Sequence, residues 1–263
     1  MGLHPNIEVY RSTINLEQNA AKRIVRIINK AIGERGDCFI ALSGGETPRP
    51  VYHLLGTPPM KDQVDWSRVH LFFVDERIVP PTDIQSNYGM ISRELISHID
   101  IPRKNVHRVE VEKKPELAAA EYERELREIV SDVVRLDLVL LGIGEDGHTA
   151  SIFPETAVVE EKRAFAFAVF VPHLDSWRVT LTFRSINDAR EILFLVSGKE
   201  KAPIVQRVFK SPKPIKEVPA TMVQPVDGNL LWMIDRDAAG KNLNHVNAGV
   251  HHNGKKNMDP CKA

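Results

Sequence analysis

Helical periodicity and short apolar runs alternate along most of the chain, and this alternation limits the possible folds more than any other feature. In residues 16–32 apolar side chains recur at the spacing of one helical face, and the apolar run 37–42 then leads into a glycine-rich turn. Residues 69–74 and 136–141 are further runs of the same kind. Strands that alternate with helices predict an α/β fold with a mainly parallel central sheet.

The remaining segments continue this pattern. Pro48 can open a helix after the first turn, and residues 87–99 have helical character. Residues 115–134 predict a long amphipathic helix, whose inner face would carry Leu117, Tyr122, Leu126, Ile129 and Val133. Further strands are predicted at residues 165–171, 178–183, 191–196 and 230–234.

The chain length fits one domain followed by a tail. Its 263 residues can bury a full core, and no linker divides the middle of the sequence. We therefore predict a single α/β domain over residues 1–239. Residues 240–263 are rich in Asn, Gly, Lys and His and poor in apolar side chains, so they predict a disordered C-terminal tail.

Charge and cysteine usage exclude several classes of partner. Lys+Arg and Asp+Glu balance at 35 each, which gives no basic excess for nucleic acid or an anionic membrane. Neither a secretory leader nor a transmembrane stretch is evident, and Cys38 and Cys261 do not suggest a disulfide scaffold, so a cytoplasmic location is expected. The histidines lack a metal-ligand spacing. We expect no metal or other cofactor, and a monomer or small homo-oligomer.

Polar turns follow three of the predicted strands. They are residues 43–47 (Ser-Gly-Gly-Glu-Thr, here the phosphate turn), residues 75–77 (Asp-Glu-Arg) and residues 142–148 (here the histidine loop). In open α/β sheets, ligands bind beyond the carboxyl ends of the strands. If these strands are parallel neighbours, the three turns share one edge of the sheet.

The phosphate turn has two interpretations. Its glycines let backbone N–H groups approach an anion, Ser43 and Thr47 add hydroxyls, and a helix that starts at Pro48 would present its positive end. The alternative is a tight strand–helix turn with Thr47 as the N-cap. The turn lacks the Lys-Ser/Thr ending of a P-loop.

The histidine loop formally fits G-x-G-x-x-G, which makes a dinucleotide site one alternative. Pro154 cuts any following helix short, and the next strand ends at Pro172 without an acidic residue for a ribose, so the fit is poor. Asp146 and His148 are more informative, because an imidazole is a suitable general base near neutral pH. Further cations, Arg178, Lys199 and Lys201, lie at predicted strand ends where an anion could bind.

Taken together, the motifs resemble the family of glucosamine-6-phosphate isomerases and 6-phosphogluconolactonases over roughly residues 7–240. The matching segments are ALSGGETP at 41–48, FFVDERIVP at 72–80 with Ser86-Asn87-Tyr88, IPRKNVHRV at 101–109 and LVLLGIGEDGHTASIFP at 138–154. The resemblance implies a modified Rossmann-like three-layer fold with the active site at the strand ends.

The resemblance also implies roles for single residues. The substrate phosphate would be held by Ser43, Gly44, Gly45, Thr47, Arg178 and Lys201. Arg77, Asp146 and His148 fall on the family's active-site motifs, and Asp75 matches the proton-abstracting acid of the deaminases.

One departure separates the two activities of the family. Deaminases of this group carry a glutamate five residues after the histidine, and Phe153 takes that position here. Lactone hydrolysis does not need this acid. The expected activity is therefore hydrolysis of 6-phospho-D-glucono-1,5-lactone, with His148 as the general base and Arg77 or loop N–H groups stabilising the oxyanion. A deaminase or a non-catalytic sugar-phosphate sensor is the alternative.

Overall fold

The computed structural model describes residues 6–131 and 133–243. Within this part of the chain there are ten strands: β1 (Asn6–Tyr10), β2 (Cys38–Leu42), β3 (Val69–Phe73), β4 (Asp75–Arg77), β5 (Val106–His107), β6 (Leu138–Leu141), β7 (Ala166–Val171), β8 (Ser176–Leu181), β9 (Glu191–Val196) and β10 (Asn229–Asp235). The α-helices are α1 (Thr13–Arg35), α2 (Arg49–Leu55), α3 (Asn87–Glu94), α4 (Pro115–Ile129), α5 (Phe183–Asn187), α6 (Ala202–Lys210) and α7 (Arg236–Leu243).

Seven of the strands form one sheet, in the order β1-β10-β9-β6-β2-β3-β5, and every pairing in it is parallel. Side chains alternate between its two faces, so that Ile40 and Leu42 belong to one apolar cluster while Ala41 belongs to the other. The first cluster packs under α1, α2 and α3, and the second lies under α4, α6 and α7. The predicted three-layer, mainly parallel fold is confirmed.

The order of the strands reverses between β2 and β6. From β2 the chain proceeds outward through β3 to β5, then returns to place β6 on the other side of β2 and continues to β9 and β10. Ligands of open α/β sheets bind at such a switch point, beyond the carboxyl ends of the strands. The phosphate turn follows β2 and the histidine loop follows β6, so the topology brings these two segments together.

A second, antiparallel sheet in the order β4-β8-β7 covers one side of this edge. Residues 75–77 were predicted as a turn, which is wrong, because they form β4 and pair with β8. Apolar residues on β7 and β8, including Val169, Val179 and Leu181, join the core under α4. Arg178 therefore lies on a buried strand rather than on a surface loop.

The predicted inner face of the fourth helix is only partly right. Helix α4 ends at Ile129 rather than near residue 134, and its buried residues are Ala118, Ala119, Tyr122 and Leu126. Leu117, Ile129 and Val133 are exposed. Small alanines let this helix pack closely, which turns the larger Leu117 outward.

Five further elements were not predicted, namely strands β1 and β5 and helices α5, α6 and α7. Strand β1 pairs only with β10 at the edge of the sheet and is half-buried, so its sequence lacks an apolar run. At the other end, α7 is kinked at Gly240, where φ is 60°, and residues 240–243 form its last part rather than the start of the predicted disordered tail. The rest of that tail, residues 244–263 with Cys261, lies outside the described residues. Among the described helices, none is long and apolar enough to cross a bilayer.

Candidate active site

A cavity of about 370 Å³ opens at the carboxyl ends of β2, β6 and β9. The phosphate turn, β4, the histidine loop, Arg178 and the segment after β9 all contribute to its wall. It includes every residue predicted for the site except Asp146, which contacts His148 from outside the wall. The lining residues among these are Ser43, Gly44, Gly45, Thr47, Asp75, Arg77, His148, Arg178 and Lys201.

The phosphate turn presents a hydroxyl that has no partner. Ser43 is buried, its Oγ makes no hydrogen bond, and its carbonyl oxygen is fixed by the hydroxyl of Tyr52, which donates to it over 2.6 Å. Gly45 has a φ of 105°, a conformation that glycine adopts without strain. A buried hydroxyl without a partner is costly unless a ligand supplies one. Ser43 Oγ is thus available to a polar group bound at the cavity wall.

Thr47 does not act as a helix cap. Helix α2 begins at Arg49, its N-cap is Pro48, and no side chain caps it. The hydroxyl of Thr47 makes no hydrogen bond within the described part of the chain and remains available at the cavity. Because α2 has only seven residues, we assign no weight to its dipole.

Two arginines face each other across the small sheet. Arg77 on β4 is the direct cross-strand partner of Arg178 on β8, and both line the cavity. Like charges placed directly opposite destabilise a sheet. Burial and the charge of Arg77 lower the pKa of Arg178, against the opposing effect of Asp75. The Nε atoms of both arginines are buried without a hydrogen-bond partner. This arrangement is suited to an anion.

Asp75 belongs to a buried polar network. Its Oδ2 accepts a hydrogen bond from Ser151 Oγ over 2.6 Å, and its Oδ1 accepts one from Asn87 Nδ2 over 3.3 Å. Arg178 Nη1 donates to Ser151 Oγ over 3.4 Å and lies 4.0 Å from Asp75 Oδ2. Both oxygens of the carboxylate therefore accept a hydrogen bond, and the contacts with Ser151 and Asp75 fix the position of the Arg178 guanidinium.

The network includes residues to which the sequence assigned no role. Asn87 and Ser151 lie inside the motifs that carry the family resemblance, but their type alone gives no indication of what they contact. A Cβ on Gly44 would lie 1.8 Å from Asn87 Oδ1, so glycine is required there for the phosphate turn to approach Asn87. Glu76, which accepts from the backbone N–H groups of Asn87 and Tyr88, fixes the start of α3.

The histidine loop holds an aspartate–histidine pair. Asp146 Oδ1 lies 2.6 Å from His148 Nδ1 and also accepts from the backbone N–H of His148. Partial burial opposes ionisation of Asp146, but the hydrogen bond and charge of His148 outweigh it and lower the pKa of the carboxyl. A carboxylate on Nδ1 favours the tautomer with its proton on that nitrogen, which leaves the lone pair on Nε2. The spacing of two residues did not fix this geometry in advance.

Lys201 reaches the cavity from the segment after β9. Asp235 at the end of β10 positions that segment, because its Oδ2 accepts from Ser197 Oγ over 2.6 Å and from Thr13 Oγ1 over 2.8 Å. Lys201 lines the cavity and forms no ion pair with any described residue. It is a free positive charge at the site.

The G-x-G-x-x-G pattern does not form a dinucleotide turn. The loop closes on itself, since the N–H of Gly144 donates to the carbonyl of His148 over 2.9 Å, and a short 3-10 helix at Ala157–Glu160 is the next helical element. The dinucleotide alternative therefore lacks the helix N-terminus that would bind the pyrophosphate. Among the described residues, no group of three or more His, Cys, Asp or Glu side chains could hold a metal ion.

Gly144 is required for the Asp146–His148 contact, which gives a first prediction. A Cβ there would lie 2.1 Å from His148 Nδ1 and 2.5 Å from Asp146 Oδ1. Gly144→Ala is expected to displace the imidazole and lower the kcat of the reaction catalysed in this cavity by about 100-fold, the cost of a misplacement near 1 Å. Steady-state kinetics measure the effect. Gly142→Ala, where a Cβ meets no atom within 4 Å, is the matched control and should cost far less; equal losses would contradict the explanation.

The fold and the site together define an α/β protein with a small cavity lined by cations and hydroxyls and an aspartate-paired histidine at its switch point. Residues 11–232 match the family described as Glucosamine-6-phosphate isomerases/6-phosphogluconolactonase, and the chain belongs to this family.

Individual relatives agree with this assignment. The chain is 35% identical over 202 residues to a 6-phosphogluconolactonase of Aggregatibacter actinomycetemcomitans, covering 76% of this chain and 85% of that one. With a 6-phosphogluconolactonase of Synechocystis sp. it shares 35% identity over 245 residues, which covers 91% and 98% of the two chains. The crystal structure of 6-phosphogluconolactonase from Thermotoga maritima superposes with a TM-score of 0.76 at 33% identity, covering 88% of this chain and 100% of that one.

Proposed function

We propose that this protein hydrolyses 6-phospho-D-glucono-1,5-lactone to 6-phospho-D-gluconate, with His148 as the general base. One observation carries the proposal: His148, whose Nδ1 is held by Asp146, lines the same cavity as Ser43, Arg178 and Lys201. The names of the relatives support the substrate. A phosphorylated lactone needs both an anion site and a base, and one cavity offers the two.

The phosphate is bound by the phosphate turn and the two cations. Ser43 Oγ and Thr47 Oγ1 provide hydroxyls that have no partner among the described residues, and Arg178 and Lys201 supply positive charge. Hydrogen bonds between charged groups and a phosphate are the strong ones. This anchoring fixes the position of the lactone carbon C1 relative to His148.

Proton transfer then runs through Nε2 of His148. The lone pair on Nε2 takes a proton from a water as the water oxygen bonds to C1, which forms a tetrahedral oxyanion. Arg77 or N–H groups of the histidine loop stabilise that charge. The oxyanion collapses, the bond between C1 and the ring oxygen breaks, and the imidazolium returns its proton to the ring oxygen. Asp146 holds the imidazole in the required tautomer and stabilises the imidazolium.

Asp75 has a different role in this proposal from the one that the deaminases suggest. With one oxygen bonded to Ser151 and the other to Asn87, the carboxylate is placed as a fixed negative charge beside Arg178. The two hydrogen bonds fix the carboxylate in place and leave only the remaining lone pairs of its oxygens for a substrate. We therefore assign Asp75 to the orientation of Arg178.

The test is direct hydrolysis of freshly prepared lactone, followed in a pH-stat or by stopped flow and corrected for spontaneous ring opening. We expect catalysed opening that saturates with lactone. A parallel assay for ammonia release from glucosamine 6-phosphate covers the deaminase alternative, which Phe153 disfavours because an apolar ring stacks on His148 where that reaction needs an acid. Binding of sugar phosphates without any turnover would instead indicate a sensor.

A further inference from the structure

Phe153 touches both halves of the proposed active site, although it does not line the cavity. Its side chain is only 2% exposed. Its ring stacks on the imidazole of His148 with a centroid separation of 4.0 Å and an interplanar angle of 24°. The guanidinium carbon of Arg178 lies 5.5 Å from the same ring centroid. One buried side chain thus joins the proton-transfer residue to the phosphate-binding cation.

The contact with His148 supplies an orientation that the hydrogen bond alone does not. The bond from His148 Nδ1 to Asp146 fixes one atom of the imidazole but leaves the plane of the ring free to tilt about that contact. A ring stacked at 24° restricts the tilt. The direction of the lone pair on Nε2 depends on that plane, so the stack determines where a water must lie to give up its proton.

The contact of the Phe153 ring with Arg178 positions the cation of the proposed phosphate site. A guanidinium over an aromatic face is attracted by the ring quadrupole, and the attraction grows as the pair loses water. Arg178 is 8% exposed, and Ser151 and Asp75 restrain it on another side. The aromatic ring, Ser151 and Asp75 together hold the guanidinium in position before a substrate binds.

The backbone around Phe153 is rigid enough for this task. A tight turn closed by the bridge between Thr149 and Ile152 leads directly into it, with Ala150 at a φ of 53°. The hydroxyl of Thr156 donates to the carbonyl of Phe153 over 2.7 Å. On its outer side the ring meets His173 edge-on at 5.4 Å. The ring is therefore enclosed by His148, Arg178 and His173, and these contacts restrict its orientation.

We propose that Phe153 is a positioning residue whose ring fixes the plane of His148 and the place of Arg178, and so sets the geometry between the base and the bound phosphate. This inference rests on the proposed lactone hydrolysis and deepens it. The charged or titratable groups around the pair of rings are Asp146, Arg178 and His173. The aromatic face itself, rather than charge, is the feature that a substitution must remove.

The experiment compares Phe153→Leu with Phe153→Tyr and with the same substitution at another buried phenylalanine. Phe165→Leu is the matched control, since Phe165 is as fully buried as Phe153, packs in the apolar cluster that includes the neighbouring Ile152, and contacts neither His148 nor Arg178 in the described structure. We expect Phe153→Leu to lower kcat about 10- to 100-fold, as loss of alignment does, and to raise the Ki of inorganic phosphate several-fold. Phe165→Leu should lower Tm comparably and leave kcat within about twofold of the wild-type value, and Phe153→Tyr should restore most of kcat.

A spectroscopic readout separates positioning from general loss of stability. An imidazole that tilts away from Asp146 weakens the bond that sets its tautomer, so side-chain ¹⁵N NMR of His148 should show one tautomer, protonated at Nδ1, in the wild-type protein and a mixture of tautomers in Phe153→Leu. If Phe153→Leu does not fold, Phe153→Met removes the ring with less change in shape and is judged by the same criteria. Wild-type kcat, phosphate Ki and tautomer in the ring-less variant would overturn the proposal.

The result also distinguishes this inference from the function on which it depends. A fully active His148→Ala variant would reject His148 as the base, whatever Phe153 does. An inactive His148→Ala variant combined with a fully active Phe153→Leu variant would reject only the positioning role.

Discussion

His148→Ala is expected to lower kcat for lactone hydrolysis by about 10²- to 10⁴-fold, the usual contribution of a general base. The substitution removes the one imidazole that lines the cavity with its Nδ1 bonded to Asp146. Phosphate-dependent binding should remain, because Ser43, Arg178 and Lys201 are untouched. Steady-state kinetics on fresh lactone, together with inhibition by inorganic phosphate, measure the two properties separately.

The control for this variant is a histidine substitution away from the cavity. His98 is exposed and bonds only to the carbonyl of Arg93, so His98→Ala should keep the wild-type kcat. A His148→Ala variant with nearly wild-type kcat would show that the base is another group or that water attacks without one. A large rise in phosphate Ki would instead place His148 in the anion site.

Arg178→Ala is expected to act mainly on KM, which should rise about 30- to 150-fold because a charge-assisted hydrogen bond to phosphate contributes about 2–3 kcal/mol. Arg178 is buried on β8, and Ser151 and Asp75 fix it, so no neighbouring cation can replace it without moving. The Ki of inorganic phosphate should rise in parallel. A moderate fall in kcat is also expected, since the anchored phosphate helps to align C1.

Arg184→Ala is the matched control for this second variant. Arg184 follows the same strand, but its guanidinium packs on Phe165 and bonds to the carbonyl of Arg163. KM should then stay close to the wild-type value. An unchanged KM in Arg178→Ala would remove Arg178 from the phosphate site. Circular dichroism of both variants is needed, because the alanine leaves Asp75 without its nearest cation.

Much of the fold follows from local sequence patterns. Continuous apolar runs at β2, β3 and β6 predict buried parallel strands, and the glycine-rich turns after β2 and β6 predict a shared ligand edge. The edge strand β1 was not predicted, because a half-buried edge strand needs no continuous apolar run. The inner face of α4 was misjudged because alanines, not the bulkier Leu117 and Ile129, face the core.

The site could be predicted as a list of residues but not as a set of contacts. The motifs indicated that Asp146 and His148 belong to it, while the 2.6 Å contact between their side chains depends on the closed loop and on the space at Gly144. The network of Asp75, Ser151 and Asn87 joins three segments that are far apart in the sequence. The contacts of Phe153 have the same origin, since the fold brings the segment after the histidine loop against strand β8, where Arg178 lies.

The opposed pair of Arg77 and Arg178 links occupancy of the cavity to the stability of the whole protein. Their mutual repulsion acts against the folded state, Asp75 offsets part of it, and an anion bound between them would offset more. A ligand that binds the folded chain alone raises the free energy of unfolding as its concentration rises. A cell rich in sugar phosphates would therefore hold more of this enzyme in its folded form, and starvation for them would leave it more exposed to proteolysis.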